Sequence, residues 1–248
     1  MKDIELWQGD CLQLMNDIPD KSVDCIITDL PYGVTAKNKW DTVIPFELLW
    51  EQYKRIIKDN AAIILFGQDK FTAKCMLSNE KMHRYNLIWK KVLPSGFLNA
   101  NRMPLREHED IMVFYKKLPT YNPQKIKGNP CHKKGKVVGQ MNDSQLKNNN
   151  YGDFKCVETE GDMKFPTSVL EFSKPHPSVS VHPTQKPVEL LEWLIKTYTN
   201  EGDLILDSCM GSGTCGVAAK KLGRKFIGIE LDTQYFEIAQ ERIQNIVV

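Results

Sequence analysis

The segment Leu204–Thr214 restricts the fold of this chain more than any other part of the sequence. A strand pattern, Leu-Ile-Leu-Asp, enters a turn with two closely spaced glycines, and a helical pattern follows over Cys215–Leu222. The next strand pattern, Phe226–Glu230, ends in an acid 19 residues after Gly211. In nucleoside-binding α/β folds, glycines let the backbone approach the ligand, and an acid about 20 residues on takes the ribose hydroxyls. This unit predicts a parallel α/β sheet with a nucleoside site at Gly211, Gly213 and Glu230.

The two ends of the sequence predict an unusual strand order. A helical pattern over Thr233–Ile243 should lead to a third strand of this half of the sheet, yet the sequence ends at Val248. The strand pattern Ile4–Gln8, followed by Gly9 and Asp10, can supply that strand from the N-terminus. We therefore expect a circularly permuted fold, which requires the two termini to lie close together, a common arrangement in compact domains.

A further strand pattern, Val23–Thr28, ends at Asp29-Leu30-Pro31-Tyr32-Gly33, and α/β sheets bind ligands at the carboxyl ends of their strands. The exocyclic amine of a nucleobase is a poor nucleophile, and two closely spaced acceptors for its N–H bonds favour a reactive, pyramidal nitrogen. The Asp29 carboxylate can be one acceptor and the Leu30 carbonyl the other, because a residue before proline is extended. Tyr32 offers a flat face for a base removed from its helix. The alternative is an ordinary β-turn, which would account for about half of such short matches.

At this turn the sequence resembles the DNA amino-methyltransferases, whose catalytic tetrapeptide is Asp/Asn/Ser-Pro-Pro-Tyr/Phe/Trp and whose methyl donor is S-adenosylmethionine. Leu30 replaces the first proline of that pattern but keeps its carbonyl, so we expect activity to survive. The hexapeptide His182–Pro187 matches the family segment beside the methionine part of the cofactor. Asp207–Thr214 resembles the pattern Asp-x-Phe-x-Gly-Ser-Gly-Thr, from which Cys209 and Met210 depart. The resemblance implies that cofactor contacts come from Asp10, Thr184, Lys186, Asp207, Gly211, Gly213, Thr214 and Glu230.

The order of these motifs resembles the beta class of the family. It implies an α/β, circularly permuted Rossmann-like methyltransferase fold with a mostly parallel seven-stranded sheet and a small inserted target-recognition region. We expect residues 1–116 to form the catalytic half, 117–164 the insert and 165–248 the cofactor-binding half. The insert is rich in Asn, Gln and Lys, which suit contacts to adenine edges and phosphates. A disordered polar loop is the alternative, at about one in three without the surrounding motifs.

The elements between the two halves follow from hydrophobic spacing. Apolar residues at helical intervals predict a helix over Phe46–Lys58, and shorter patterns predict strands and further helices. These are strands over Ala61–Gly67, Tyr85–Lys90 and Asp110–Lys116, and helices over Lys70–Ser78 and Val188–Tyr198. We expect Lys91–Glu109 to be irregular, with Arg102, Arg106 and His108 as candidate contacts near the base or the cofactor.

Composition excludes several other classes of protein. The sequence has no apolar run long enough to span a membrane and no apolar signal core near Met1. Seven cysteines, odd in number and scattered, predict a reduced cytoplasmic protein. Zinc binding by Cys131, His132, Cys156 and His176 matches no familiar spacing and is given roughly one chance in ten. No metal is predicted, because a sulfonium methyl group is electrophilic without one.

These observations predict a DNA adenine-N6 methyltransferase in which Asp29, Leu30, Pro31 and Tyr32 form the catalytic turn. Asp rather than Ser at the head of the turn favours adenine over cytosine N4 within the family. Methylation of cytosine N4, methylation of RNA bases and a catalytically silent DNA-binding subunit are the alternatives. A net charge of only +2 leaves DNA binding to depend on where the charges lie. So short a chain has little surface for reading a long duplex site, which favours a short target or a homodimer, and a cognate restriction endonuclease is a further candidate partner.

Overall fold

The computed structural model describes residues 3–33, 42–128, 162–174 and 185–247. Within these ranges, eight strands form one sheet in the order β1-β10-β9-β2-β3-β5-β4-β8, and two short strands, β6 and β7, form a second. Thr184, the four zinc candidates and most of the polar insert lie outside the described residues.

The strands and helices are numbered in chain order within the described residues. The strands are β1 Ile4–Gln8, β2 Val23–Thr28, β3 Ile57–Gly67, β4 His83–Ser95, β5 Arg106–Phe114, β6 Ile126–Lys127, β7 Met163–Lys164, β8 Val169–Phe172, β9 Leu204–Asp207 and β10 Lys225–Glu230. The helices are α1 Cys11–Leu14, α2 Phe46–Ile56, α3 Asp69–Ser78, α4 Val188–Tyr198, α5 Thr214–Lys221 and α6 Thr233–Gln244.

The predicted permutation is confirmed by the pairing of the first strand with the last. Strand β1 runs parallel to β10, with Ile4 opposite Phe226 and Gln8 opposite Glu230. The backbone N–H of Phe226 also donates to the carbonyl of Asp3 at 2.8 Å. The N-terminal segment therefore supplies the third strand of the cofactor half, and the carboxyl ends of β1, β10, β9, β2 and β3 lie at one edge of the sheet.

The sheet is mostly parallel, as predicted, but it has eight described strands rather than seven. The additional strand is β8, which runs parallel to β4 at the edge of the sheet. Only Leu170 of this strand is buried, so its sequence lacks the pattern of a core strand. Strand β5 is antiparallel to both of its neighbours, β3 and β4.

The prediction that Lys91–Glu109 is irregular is wrong at both ends of this segment. Strand β4 continues to Ser95 and β5 begins at Arg106, so the two form a long antiparallel hairpin. The segment was hard to assign because side chains near the hairpin tip are exposed on both faces, which removes the alternation that marks a half-buried strand. The end of α2 also differs, because Ile57 already belongs to β3.

Helices cover both faces of the sheet and leave its carboxyl edge open. Strand β2 shows the alternation directly, since Cys25 and Ile27 pack on one face and Ile26 on the other. Helices α4, α5 and α6 bury apolar residues on the first face, and α1, α2 and α3 on the second. The resulting three-layer arrangement places ligand sites where the parallel strands end.

The chain divides into two compact units. One consists of Met1–Asn122 and Thr167–Val248, and the other is Pro123–Pro166. In the second unit β6 and β7 pair antiparallel, and the ammonium of Lys125 lies 4.8 Å from the centre of the Phe165 ring. Its role in target recognition stays a prediction. No helix in the described ranges is long and apolar enough to cross a membrane.

Candidate active site

One cavity of about 670 Å³ opens at the carboxyl edge of the sheet, a size suited to a nucleoside-containing ligand. It brings together most of the residues predicted from the sequence, although these come from both ends of the chain. They are Asp10, Asp29, Leu30, Pro31, Tyr32, Lys186, Asp207, Gly211, Thr214 and Glu230. Arg102, Arg106 and His108 are not among its lining residues, and Arg106 instead forms an ion pair with Asp69 at 2.7 Å.

Two contacts of Tyr32 hold the predicted catalytic turn in place. The Tyr32 hydroxyl donates to Asp29 Oδ1 at 2.7 Å, and the Tyr32 ring stacks on Phe71 with centroids 4.5 Å apart. Burial and the nearby Asp29 carboxylate keep the pKa of Tyr32 well above its usual value, so the hydroxyl remains a donor. Gly33 has a φ of 69°, a conformation that glycine adopts without strain, and it ends the turn.

The departure of this turn from the family pattern has a structural explanation. Leu30 is only 3% exposed and packs in the core cluster that contains Phe71 and Ile26. The leucine side chain therefore fills the core beneath the turn, while Pro31 keeps the preceding residue out of the helical region. The turn stays closed without the first proline.

A lysine from the segment before α4 completes the contacts of Asp29. The Nζ atom of Lys186 lies 2.5 Å from Asp29 Oδ2 and 3.2 Å from Glu109 Oε2, and Lys91 Nζ lies 2.5 Å from Glu109 Oε1. The ammonium group of Lys186 is thus directed at Asp29. The contact with the cofactor that the sequence predicts for Lys186 stays a prediction. Sequence reasoning missed Glu109 and Lys91, because each lies in a run of polar or charged residues, Arg106–Asp110 and Lys90-Lys91, in which nothing marks it as buried.

The glycine-rich turn between β9 and α5 is closed by the acid at the end of β10. Gly211 N–H donates to Glu230 Oε2 at 2.8 Å, and Asp232 N–H donates to Oε1 at 2.9 Å. These two hydrogen bonds fix the Glu230 carboxylate at the cavity wall. The sequence predicts that this carboxylate binds the ribose hydroxyls. Gly213, with a φ of 77°, is not among the lining residues, and a Cβ there would come 2.8 Å from the Ala239 Cβ. The close packing of the turn against α6 is a second reason for glycine at 213.

Asp207 is the most perturbed acid of the cavity. Burial raises its pKa to about 7, an effect that the nearby Asp29 and Glu230 charges reinforce and that hydrogen bonds from Thr28 and the Cys209 backbone partly oppose. Asp10 is exposed and accepts from the Leu12 N–H at 2.8 Å as the N-cap of α1. Perturbed acids in clefts are typical of functional sites.

The described lining of the cavity is strongly acidic. Its carboxylates are Asp10, Asp29, Glu109, Asp207 and Glu230, against the single described ammonium of Lys186. An excess of negative charge suits a ligand that carries a positive charge. The fold and this site together define a Rossmann-like α/β protein with an acidic cavity where its parallel strands end.

Comparison with known proteins identifies the family. The N6_N4_Mtase family of DNA methylases matches residues 23–241, and the chain belongs to this family. It is 28% identical to Type II methyltransferase M.HpaI of Haemophilus parainfluenzae, covering 98% of this chain and 75% of that protein. It is 29% identical to Type II methyltransferase M2.MboI of Moraxella bovis, covering 99% of this chain and 89% of that protein.

Solved structures agree with the fold. The M1.HpyAVI complex with S-adenosylmethionine superposes with a TM-score of 0.65 at 25% identity, covering 98% of this chain and all of that one. The cytosine-N4-specific PvuII DNA methyltransferase gives a TM-score of 0.69 at 16% identity, covering 100% of this chain and 89% of that one. The predicted methyltransferase fold is confirmed. S-adenosylmethionine, with which M1.HpyAVI and a DNA modification methylase of Thermus thermophilus were crystallised, is confirmed as the cofactor of this DNA methylase.

Proposed function

We propose that this DNA methylase transfers a methyl group from S-adenosylmethionine to the exocyclic N6 amine of an adenine flipped out of DNA. The observation that carries the proposal is the shared cavity: the Asp29 carboxylate and Tyr32 line the same space as Gly211 and Glu230. An amine held at Asp29 therefore lies next to a nucleoside-containing cofactor held at the glycine-rich turn. The target amine and the methyl donor can therefore occupy one cavity without any rearrangement of the sheet.

On the base side, the catalytic turn orients the amine. Asp29 accepts one N–H and the Leu30 carbonyl accepts the other, which favours a pyramidal nitrogen with its lone pair free for attack. Tyr32, supported from behind by Phe71, stacks on the extruded base. The methylated amine loses its extra proton readily, since a protonated aromatic amine is strongly acidic, and the neighbouring Asp29 carboxylate is placed to accept it.

On the cofactor side, the acidic lining fits the charge of the ligand. When bound, S-adenosylmethionine supplies a sulfonium methyl group that is electrophilic without a metal ion. We assign Glu230 to the ribose hydroxyls and Asp10 to the adenine amine. The glycine-rich turn, with Asp207, Gly211, Gly213 and Thr214, cradles the nucleoside, and Thr184 and Lys186 belong to the segment assigned to the methionine part.

Adenine is favoured over cytosine by the residue that heads the turn. An aspartate there is associated with adenine in this family, whereas cytosine N4 is the second candidate because the cytosine-N4-specific PvuII enzyme shares the fold. The relatives M.HpaI and M2.MboI, both named Type II methyltransferases, support a role in DNA modification beside a restriction endonuclease. Recognition of the target by residues 117–164, a homodimer and a partner endonuclease stay predictions.

The test is transfer of labelled methyl groups from S-adenosylmethionine to unmethylated duplex DNA, single-stranded DNA and RNA, followed by nucleoside analysis. N6-methyladenine in DNA is expected. N4-methylcytosine would overturn the base assignment, and label in RNA alone would overturn the choice of nucleic acid.

The role of the turn is tested separately by Asp29→Ala. We expect this substitution to lower the rate of methyl transfer at least about 100-fold, as removal of a positioned acceptor does in other enzymes. Binding of S-adenosylmethionine should persist, because Asp29 lies on the base side of the cavity. Asp17→Asn, a change at an exposed carboxylate, is the matched control. Loss of cofactor binding together with transfer would contradict this division of roles.

A further inference from the structure

Four charged side chains form a row that begins at the partly exposed Asp29 and continues through three buried side chains. Charges alternate along it: Asp29 contacts Lys186 at 2.5 Å, Lys186 contacts Glu109 at 3.2 Å, and Glu109 contacts Lys91 at 2.5 Å. The side chains of Lys186, Glu109 and Lys91 are 9%, 11% and 2% exposed. Burying charges is costly unless they are paired, so the row is stable only as a unit.

The surroundings of Lys186 fix its ammonium group in place. Asp29 and Glu109 contact it from the end of β2 and from β5, and the Phe66 ring of β3 lies beneath it with its centroid 5.1 Å from Nζ. Glu109 is itself anchored from β4 by Lys91. The ammonium group is therefore fixed by rigid strands, which is the arrangement that positions a neighbouring group accurately.

Removing this ammonium group would leave carboxylates facing one another. Asp29 is faced by Tyr32 of its own turn, Lys186 before α4, Glu109 of β5 and Asp207 of β9. Closely placed buried carboxylates cannot all stay ionised, so one takes up a proton. A protonated Asp29 would present a hydroxyl donor to the amine in place of an acceptor.

We propose that Lys186 is a positioning residue for methyl transfer: its ammonium group, anchored on Glu109, balances the neighbouring negative charges and holds the Asp29 carboxylate turned so that Oδ1 accepts from the target amine. The inference rests on the proposed role of Asp29 and extends it. In this arrangement Oδ2 is held by the lysine, while Oδ1 carries the Tyr32 hydroxyl and has a further lone pair for the substrate.

The electrostatics of the row agree with this role. Burial alone would lower the pKa of Lys186, but the Asp29 and Glu109 carboxylates together hold it above its usual value, so the group stays charged. Burial would raise the pKa of Glu109, but Lys186 and Lys91 lower it to about 2. Lys174 also lies near this end of the row, and its pKa is lowered, first by burial and then by the charges of Lys91 and Lys186.

The decisive experiment is the pH dependence of single-turnover methyl transfer by the Lys186→Met variant on duplex DNA, with S-adenosylmethionine saturating. We expect the acid limb of the profile to move upward by about 1–3 pH units, the range that an opposite charge at this distance controls. The dissociation constant of S-adenosylmethionine should change little. Lys186→Arg, which keeps the charge, should leave the acid limb near its wild-type position.

A second variant tests the same row of charges by a shift of the acid limb in the opposite direction. Glu109→Gln removes a negative charge near Asp29 and leaves Lys186 in place, so its acid limb should move to lower pH. In the double variant the two shifts should largely cancel. Lys196→Met is the matched control, because Lys196 lies on α4 with an exposed side chain, and its profile should match that of the wild type. Should Lys186→Met fail to fold, the direction of the Glu109→Gln shift decides.

Each outcome separates the proposal from its competitors. A weaker affinity for S-adenosylmethionine with an unmoved acid limb would make Lys186 a cofactor ligand and overturn the proposal. An equal loss of rate at every pH would make it structural and overturn it as well. Failure of the proposed function looks different, because the wild-type protein would then transfer no methyl group to DNA or Asp29→Ala would retain full activity.

Discussion

The raised pKa of Asp207 predicts that this residue, a proposed cofactor contact, destabilises the protein at neutral and alkaline pH. Its pKa rises from an ordinary 3.8 to about 7, first because the carboxyl is buried and further because Asp29 and Glu230 lie nearby. A rise of this size corresponds to about 4 kcal/mol between the two protonation states. We treat that value as an upper limit on the stability change.

The sign of the effect follows from proton binding. Between about pH 4 and pH 7 the folded protein keeps a proton on Asp207 that the unfolded chain releases, so the favourable contribution of this group is complete below pH 4 and is lost as the pH rises through 7. Asp207→Asn removes the charge but keeps an oxygen for the Cys209 N–H that now donates to Oδ1 at 3.1 Å. The variant should therefore be more stable than the wild type at pH 8, by up to about 4 kcal/mol, and nearly equal to it at pH 4.

The assay is urea unfolding of both proteins without cofactor at several values between about pH 4.5 and pH 8, with Asp17→Asn as the exposed control. A stability difference that grows with pH supports the reasoning. An equal difference at every pH, or a less stable variant at pH 8, would refute it. S-adenosylmethionine should bind the variant more weakly, because a stabilising change within a functional site commonly impairs binding.

Three further predictions concern Asp207, Tyr32 and Gly213. Near pH 7, binding of cationic S-adenosylmethionine should release about half a proton from Asp207, visible by calorimetry in buffers of different ionisation enthalpy and absent in Asp207→Asn. Tyr32→Phe should slow transfer by about 10-fold through loss of the hydroxyl at Asp29, whereas Tyr32→Ala should also weaken DNA binding by about 1–3 kcal/mol, measured by titration. Gly213→Ala should lower the free energy of unfolding by about 2–4 kcal/mol through a strained φ and a clash with Ala239, while Gly202→Ala, with a φ of 80° and open space around it, should lose only about 1–2 kcal/mol.

Most of the fold could be predicted because its strands and turns are local patterns. Val23–Thr28 and Ile4–Gln8 have the predicted bounds, and the permutation followed from counting strands on either side of the glycine-rich turn. The exposed hairpin between β4 and β5 could not be predicted, since pairing between distant strands stabilises it and its side chains carry no alternation. Edge strand β8 was missed for the same reason.

The sequence by itself determined the chemistry of the site: an Asp-Leu-Pro-Tyr turn after a strand, a glycine-rich turn, and an acid at the required distance. These are short motifs whose residue types fix backbone shape and hydrogen-bonding groups locally. Only the tertiary structure decided that Lys186, from the segment before α4, meets Asp29 and Glu109, because side chains up to 157 residues apart become neighbours when parallel strands align their carboxyl ends. The charge balance of the site is therefore a property of the fold, since the attraction between these groups depends on distances that sequence spacing does not specify.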